Sequence, residues 1–528
     1  MDHTLLVSTF LFIVYVPSMA VAVHGAKTSL CSQTPFPSLC HSLIISNKTN
    51  QETTPFVVHR DSALSATMAE ALQVHHLISS MDTSSFADRA KSAWPDCVEL
   101  YEDSIHQLDS SMSLTNSKRH NINVQTWLSA ALTNLETCQN GFAEFNLYST
   151  YLKYFPSNNF SKSLSNSLAI NKAVLASQTS GLASEKSKGR GLLDHDLPEW
   201  ISATNRRLLQ TKPPLADLVV AQDGSGDFTT ISEAVAAVKT GTTKRFVIYV
   251  KKGVYKENVE IKKKVKNLML VGDGIDATII TGNKNNADGF TTFRSATFAA
   301  RGHGLIVRGM TFENTAGPQK HQAVAMRSSS DLSVFYNCSF KGYQDTLYVH
   351  SNRQFYRNCD IYGTVDFIFG NAIAVLQNCN IYVRRPMSRQ VNTITAQQRT
   401  NIYENTGIVL HNCWITASSD LRVVQGIYKT YLGRPWKAYS RTVVIKSYLE
   451  DLIDPSGWLP WNGEFGLKTL YYGEYMNRGS GAGTAGRVKW PGYHIITNVE
   501  EAARFSVGSF LDDESWLAAT GVPFTSGL

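Results

Sequence analysis

The sequence predicts two unlike domains in tandem, an all-α up-and-down bundle followed by an all-β parallel solenoid. Three observations carry this. Apolar residues over 30–180 recur at the helical period. From residue 338 on, a short phrase built on Asn-Cys recurs at about twenty residues. Between the two patterns lies a stretch, 181–215, that has neither and is rich in Gly, Ser, Lys and Arg. The chain has 528 residues, 43% of them hydrophobic and 18% charged, so it can bury more than one core. That excludes a wholly disordered, collagen-like or small disulfide-scaffold protein.

Residues 5–23 form an apolar run broken by Pro17, with Ala20-Val21-Ala22 as a small-residue cleavage site. This reads as a secretory signal peptide over 1–24, with an uncleaved anchor as the alternative because no basic residue precedes the run. Export permits disulfides. The eight Cys divide evenly: Cys31, Cys40, Cys97 and Cys138 early, Cys338, Cys359, Cys379 and Cys413 late. Sequons stand at Asn47, Asn159 and Asn337.

In the first domain, 25–180, three sets of residues follow a helical period. They are Leu64, Met68 and Leu72; Val98, Tyr101, Ile105 and Leu108; and Leu128, Ala131, Leu132, Leu135 and Cys138. Cys31 and Cys40 are close enough to staple a hairpin, and Cys97 and Cys138 to tie two helices, among three connectivities open to four Cys. The linker 181–215 carries Arg206-Arg207-Leu208-Leu209, a dibasic pair open to a processing protease.

In the second domain, 216–528, short β-rich runs appear, such as Phe246-Val247-Ile248-Tyr249-Val250. The phrase then recurs as Tyr336-Asn337-Cys338, Arg357-Asn358-Cys359, Gln377-Asn378-Cys379 and His411-Asn412-Cys413. The Cys step by 21, 20 and 34 residues, the last step being one coil with an inserted loop. In a parallel solenoid, residues one period apart stack at one angular position.

That stacking exposes the chemistry. Asp345 and Asp366 are 21 residues apart, the interval between Cys338 and Cys359, so they fall on adjacent coils. Asp366 sits among Val365, Phe367, Ile368 and Phe369, where a carboxylate must be paired or functional. Two close carboxylates push their pKa values apart, which lets one serve as acid and the other as base or nucleophile. Gln344 and Gln322, about one coil apart, supply amide donors for an oxyanion. Arg434 can clamp a carboxylate and Trp436 can stack on a sugar. No Gly-x-Ser-x-Gly elbow occurs in 211–528, which disfavours a serine esterase. The late His show no metal-ligand spacing, so no metal or cofactor is expected. Residues 211–528 hold 35 Lys and Arg against 26 Asp and Glu, whereas residues 1–210 hold 15 against 17. A basic second domain suits an acidic polymer, of which nucleic acid is only one kind.

Five motifs in order make the match specific. They are Gly253-Val254-Tyr255-Lys256-Glu257, Gln322-Ala323-Val324-Ala325, Gly342-Tyr343-Gln344-Asp345-Thr346-Leu347, Gly363-Thr364-Val365-Asp366-Phe367-Ile368-Phe369-Gly370 and Leu432-Gly433-Arg434-Pro435-Trp436. With them, 216–520 resembles the plant pectin methylesterases (pectinesterases). The early Cys and Leu135-Glu136-Thr137-Cys138 resemble the pectin methylesterase inhibitors over 30–180. The resemblance implies an all-α four-helix bundle and an all-β right-handed parallel β-helix. It implies that the enzyme removes C6 methyl esters from homogalacturonan (pectin), releasing methanol, without a cofactor. Asp366 is then the nucleophile, Asp345 the acid and base, and Gln344 with Gln322 the oxyanion donors. Arg434 keeps Asp366 ionised and oriented, while Trp436 and Thr292 contact the sugars. It also implies a Cys359–Cys379 disulfide, cleavage at Arg206-Arg207-Leu208-Leu209, and secretion to the plant cell wall. The N-terminal pro-region becomes a partner and auto-inhibitor, free inhibitor proteins become further partners, and nucleic acid does not. Two rivals remain: a lyase or galacturonase on the same solenoid, which lacks its expected Asp cluster here, and an inactive pectin-binding or inhibitor protein acting through its N-terminal bundle.

Overall fold

The computed structural model of the chain describes residues 30–45, 56–112, 116–151, 155, 159–179, 215–241, 243–512 and 516–528. The expected export segment, the sequon at Asn47 and the linker with its dibasic pair lie outside the described residues.

The N-terminal domain is helical: α1 (Pro37–Ile45), α2 (Phe56–Ser79), α3 (Asp88–Ser111), α4 (Lys118–Ala143), α5 (Tyr148–Tyr151) and α6 (Asn159–Thr179). The four long helices, α2, α3, α4 and α6, make the bundle. Ser117 caps α4 by accepting from the His120 N–H at 3.1 Å, which satisfies one of the donors left open at a helix start. Cys31 is bonded to Cys40, and Cys97 on α3 to Cys138 on α4. Leu64 and Met68 are buried, but Leu72 is 49% exposed. Four-residue steps on a helix of 3.6 residues per turn drift about 40° each, so the third residue leaves the core stripe. Asn159 lies exposed at the start of α6.

The second domain is a parallel β-helix. Its strands form sheets of eleven, seven and eight, and every strand pair is parallel. The repeated phrase marks one corner of the coil. Tyr336, Arg357, Gln377 and His411 are in register at the end of their strands in the eleven-stranded sheet. The Asn that follows each turns the chain with φ between 51° and 55°, a left-handed conformation that Asn tolerates better than most residues. Asn337, one of the expected glycosylation sites, is thereby half-buried in a corner. Three further coils make the same corner with Gly309, Lys446 and Met476, also at positive φ. They lack the Asn-Cys phrase and so escaped it.

Two expectations are corrected here. The 34-residue coil carries two excursions, 384–391 and 398–406, rather than one loop. The Cys359–Cys379 disulfide is absent: Cys338, Cys359, Cys379 and Cys413 are all buried free thiols. They stack in register one coil apart, with neighbouring strands about 4.8 Å apart. Parallel Cα–Cβ vectors keep that separation, whereas a disulfide needs Cβ atoms about 3.5–4.5 Å apart. Each thiol instead reaches a carbonyl, Cys359 that of Phe335 at 3.4 Å and Cys379 that of Tyr356 at 3.6 Å.

The bundle sits on the seven-stranded sheet. Its apolar core, including Leu128, Ala131 and Leu135, is continuous with Phe293, Val324, Tyr348, Phe369 and Ala396 of the β-helix. The excursion 398–406 joins this contact. Gln125 of α4 donates to the Tyr403 carbonyl at 2.6 Å, and Asn405 to Thr126 at 3.0 Å.

Candidate active site

Asp345 and Asp366 occupy equivalent turns between the eight-stranded and seven-stranded sheets. The strands that follow them, Leu347–Val349 and Ile368–Gly370, pair with Leu347 opposite Ile368. The turns are laced together by the Asp345 N–H donating to the Val365 carbonyl at 3.0 Å and the Leu347 N–H to that of Phe367 at 2.8 Å. Both aspartates have positive φ, 63° and 51°. Asp, like the Asn of the corners, adopts that conformation more readily than most residues. The glycines of the motif answer to packing: a Cβ on Gly363 would meet the Phe367 side chain at 2.2 Å.

The two carboxylates, 8% and 5% exposed as residues, enter one cavity of about 280 Å³. Thr292, Gln322, Gln344, Arg434 and Trp436 line it with them. All seven residues singled out from the sequence are therefore brought together. The strand register sets Gln344 over Ala323, whose N–H it accepts at 3.3 Å, and both glutamines still reach the cavity.

Their surroundings differ. Asp366 is clamped by Arg434, Nε to Oδ1 at 2.8 Å and a terminal nitrogen to Oδ2 at 2.6 Å. Thr393 donates to Oδ1 at 2.6 Å and accepts from the Asp366 N–H at 2.9 Å. Asp345 has no such clamp, and its carboxyl is held well above the usual carboxylate range. Burial is the main cause, with the negative charges of Asp366 and Glu144 adding to it. The two matched aspartates thus sit in unlike electrostatic surroundings.

The sequence model of the Pectinesterase family matches residues 217–514, more than half the chain. The chain belongs to the pectinesterase family. As a pectinesterase it is a carboxylic ester hydrolase that demethylesterifies pectin. The model of the family "Plant invertase/pectin methylesterase inhibitor" matches residues 26–170. The chain is 50% identical to "Probable pectinesterase/pectinesterase inhibitor 6" of Arabidopsis thaliana over 564 aligned residues, covering all of both chains. It is 50% identical to "Pectinesterase 2" of Citrus sinensis, over 95% of this chain and 94% of that one. Among solved structures, the carrot pectin methylesterase is 58% identical, with a TM-score of 0.59, and covers 60% of this chain and 98% of its own.

Seven cavity or clamp residues of this pectinesterase were missed in the sequence, Ala143 and Ala396 among them. Thr393 follows Asp366 by 27 residues, off the twenty-residue period, because strand pairing across the enlarged coil shifts the offset (Ile368 opposite Thr395). Trp461 lies in an irregular loop, its ring 4.3 Å from the Arg434 guanidinium carbon. Phe369 read only as an apolar neighbour of Asp366; it stacks on Tyr348 with centroids 4.2 Å apart and supports Trp436. Asn140 and Glu144 come from the end of α4, in the other domain. Glu144 accepts from the Thr292 N–H at 2.8 Å and from Asn286 at 3.2 Å. Burial of its carboxyl pushes the pKa up to about 7. Among the described residues no group of three His, Cys, Asp or Glu is arranged to hold a metal ion.

Proposed function

We propose that Asp366 is the nucleophile of an aspartyl esterase acting on the C6 methyl ester of galacturonate units in pectin. The observation that carries this is the asymmetry of the pair: two equivalent aspartates in one cavity, one clamped by Arg434 and one not. A carboxylate oxygen of Asp366 attacks the ester carbonyl and forms a tetrahedral intermediate. The side-chain amides of Gln344 and Gln322 donate to its oxyanion. The C–O bond to the methoxy group breaks, Asp345 gives it a proton, and methanol leaves an acyl group on Asp366. Asp345, now ionised, takes a proton from water as the water attacks the acyl carbonyl. The C–O bond to Asp366 breaks, the new galacturonate carboxyl loses its remaining proton to solvent and departs, and both aspartates return to their first states. Trp436 and Thr292 hold the sugar chain.

The bundle covers the cavity. Asn140 of α4 and Glu144 just after it fill one side of the catalytic cavity, and Glu136 pairs with Lys437 at 2.7 Å beside Trp436. Thr137 bonds His350 at 3.0 Å. A pectin chain cannot lie along the sheet while α4 does. The N-terminal domain is therefore an auto-inhibitor, released by cleavage at Arg206-Arg207-Leu208-Leu209 after export through residues 1–24 to the cell wall. Among the described residues no helix is long and apolar enough to cross a membrane.

The test is methanol release from methylated pectin by the uncut chain and by residues 216–528. The released part should be faster by at least about tenfold, or about 1.4 kcal/mol. Equal rates would defeat the inhibitory role. Absence of methanol from both would defeat the hydrolytic one.

A further inference from the structure

The same contact carries a second pattern, away from the cavity. On α3, Asp96, Glu99 and Asp103 fall three and four residues apart, on one face. That face meets a strip of cations on the β-helix. Arg294 Nε lies 2.5 Å from Asp96, and its terminal nitrogen lies 2.6 Å from Glu99. Arg301 reaches Glu99 at 3.3 Å and Asp103 at 3.6 Å. Lys263 reaches Asp103 at 3.0 Å. Thr291 adds a hydrogen bond to Asp96 at 2.5 Å. Within the β-helix itself, the described residues give these three cations one carboxylate partner, Glu260, on Arg301 at 3.0 Å. Lys263 and Arg294 find theirs in the bundle alone.

The strip lies on the sheet that also carries the active site. Lys263 follows the strand Val259–Ile261, and Arg301 follows Phe298–Ala300, in the seven-stranded sheet that also holds Ile368–Gly370 just after Asp366. Three coil steps separate the Asp366 strand from that of Arg301, about 14 Å at the strand spacing. The α3 carboxylates span seven residues, about 10 Å, or two coil steps. A cleft beside Glu99, Arg294 and Arg301 opens to 450 Å³ at the edge of the contact.

Three cations with so few partners of their own form a site for carboxylates. The reaction supplies them: each turnover uncovers one carboxylate on the polymer. We propose that Lys263, Arg294 and Arg301 form a second binding site, for the carboxylates of de-esterified galacturonate units, and that Asp96, Glu99 and Asp103 occupy it as surrogates. This rests on the reading of the cavity as the place of ester hydrolysis. It gives the site a preference for pectin already partly processed, on the side of the reacting ester toward the first coils.

The test uses the β-helix part, residues 216–528, which corresponds to the carrot enzyme over 98% of that enzyme's chain and so folds alone. The probe is polygalacturonate, wholly free of ester, and the readout is its Kd by calorimetry at two salt concentrations. Arg294→Gln with Arg301→Gln should raise Kd at least tenfold and flatten the salt dependence, as expected when contacts to a polyanion are lost. Lys263→Gln, at a partly exposed side chain, should raise Kd about threefold and serves if the double variant does not fold. The uncut chain should bind the probe at least tenfold more weakly than the β-helix part. A Kd within twofold of wild type for the variants, or equal binding by the uncut chain, would overturn the inference. Failure of the catalytic reading shows separately, as absence of methanol from wild-type 216–528.

Discussion

The turns of Asp345 and Asp366 are near copies. They sit one coil apart, share a residue type and a left-handed backbone, and open into one cavity. Only their neighbours differ. Arg434 and Thr393 come to Asp366 from later coils, while Asp345 faces apolar burial and two other carboxylates. The lesson is that a repeat scaffold places functional groups in pairs and the irregular parts of the chain give each member its role.

Substitutions can break that comparison in graded steps. Asp366→Asn removes the nucleophile and should lower methanol release from residues 216–528 by at least about 10⁴-fold. An unchanged thermal unfolding curve would show that the fold is intact. Asp345→Asn keeps the nucleophile but removes the proton donor, for a loss of about 10²–10⁴-fold. Because expulsion of methanol becomes the slow step, esters with a better leaving group than methoxide should recover much of the rate. Arg434→Gln leaves both aspartates in place but frees one of them. A nucleophile displaced by about 1 Å costs about 10²-fold, and the loss should fall on kcat more than on KM.

The smallest effect sharpens the contrast from the side of the bundle. Glu144 has its pKa raised to about 7 from an ordinary value of 4.5 when it is docked in the cavity. A carboxyl raised on docking favours the docked state when protonated. Its contribution is complete below the ordinary value and is lost as pH rises through about 7. The ratio of uncut to released activity should therefore climb several-fold between pH 5 and 8, and Glu144→Gln should make it flat.

Much of the β-helix was legible because stacking is periodic. A conformational need for Asn at the corner and an inward position for Cys wrote a visible phrase at 337, 358, 378 and 412. Coils that turn with Gly309, Lys446 or Met476 satisfy the same backbone without the phrase, so the count of coils was not legible. The aspartate pair was legible from its 21-residue spacing alone. Thr393 was not, since the longer coil breaks the period, and Trp461 was not, since a loop position has no period. Glu144 belongs to a different domain, and no spacing within one domain can place it in the other's cavity. The expected Cys359–Cys379 bridge failed for a related reason: in-register stacking, which the spacing revealed, is also what holds the two Cβ atoms apart.

The central claim is the division of roles between two matched aspartates, and a trapped intermediate tests it most directly. Residues 216–528 carrying Asp345→Asn, mixed with a pectin ester whose leaving group is better than methoxide, form the acyl group without the acid and lack the base that hydrolyses it; quenching in hydroxylamine should yield a hydroxamate on the peptide containing Asp366, found by mass spectrometry. A label elsewhere, or release of that ester's alcohol with Asp366 unlabelled throughout, would contradict the account.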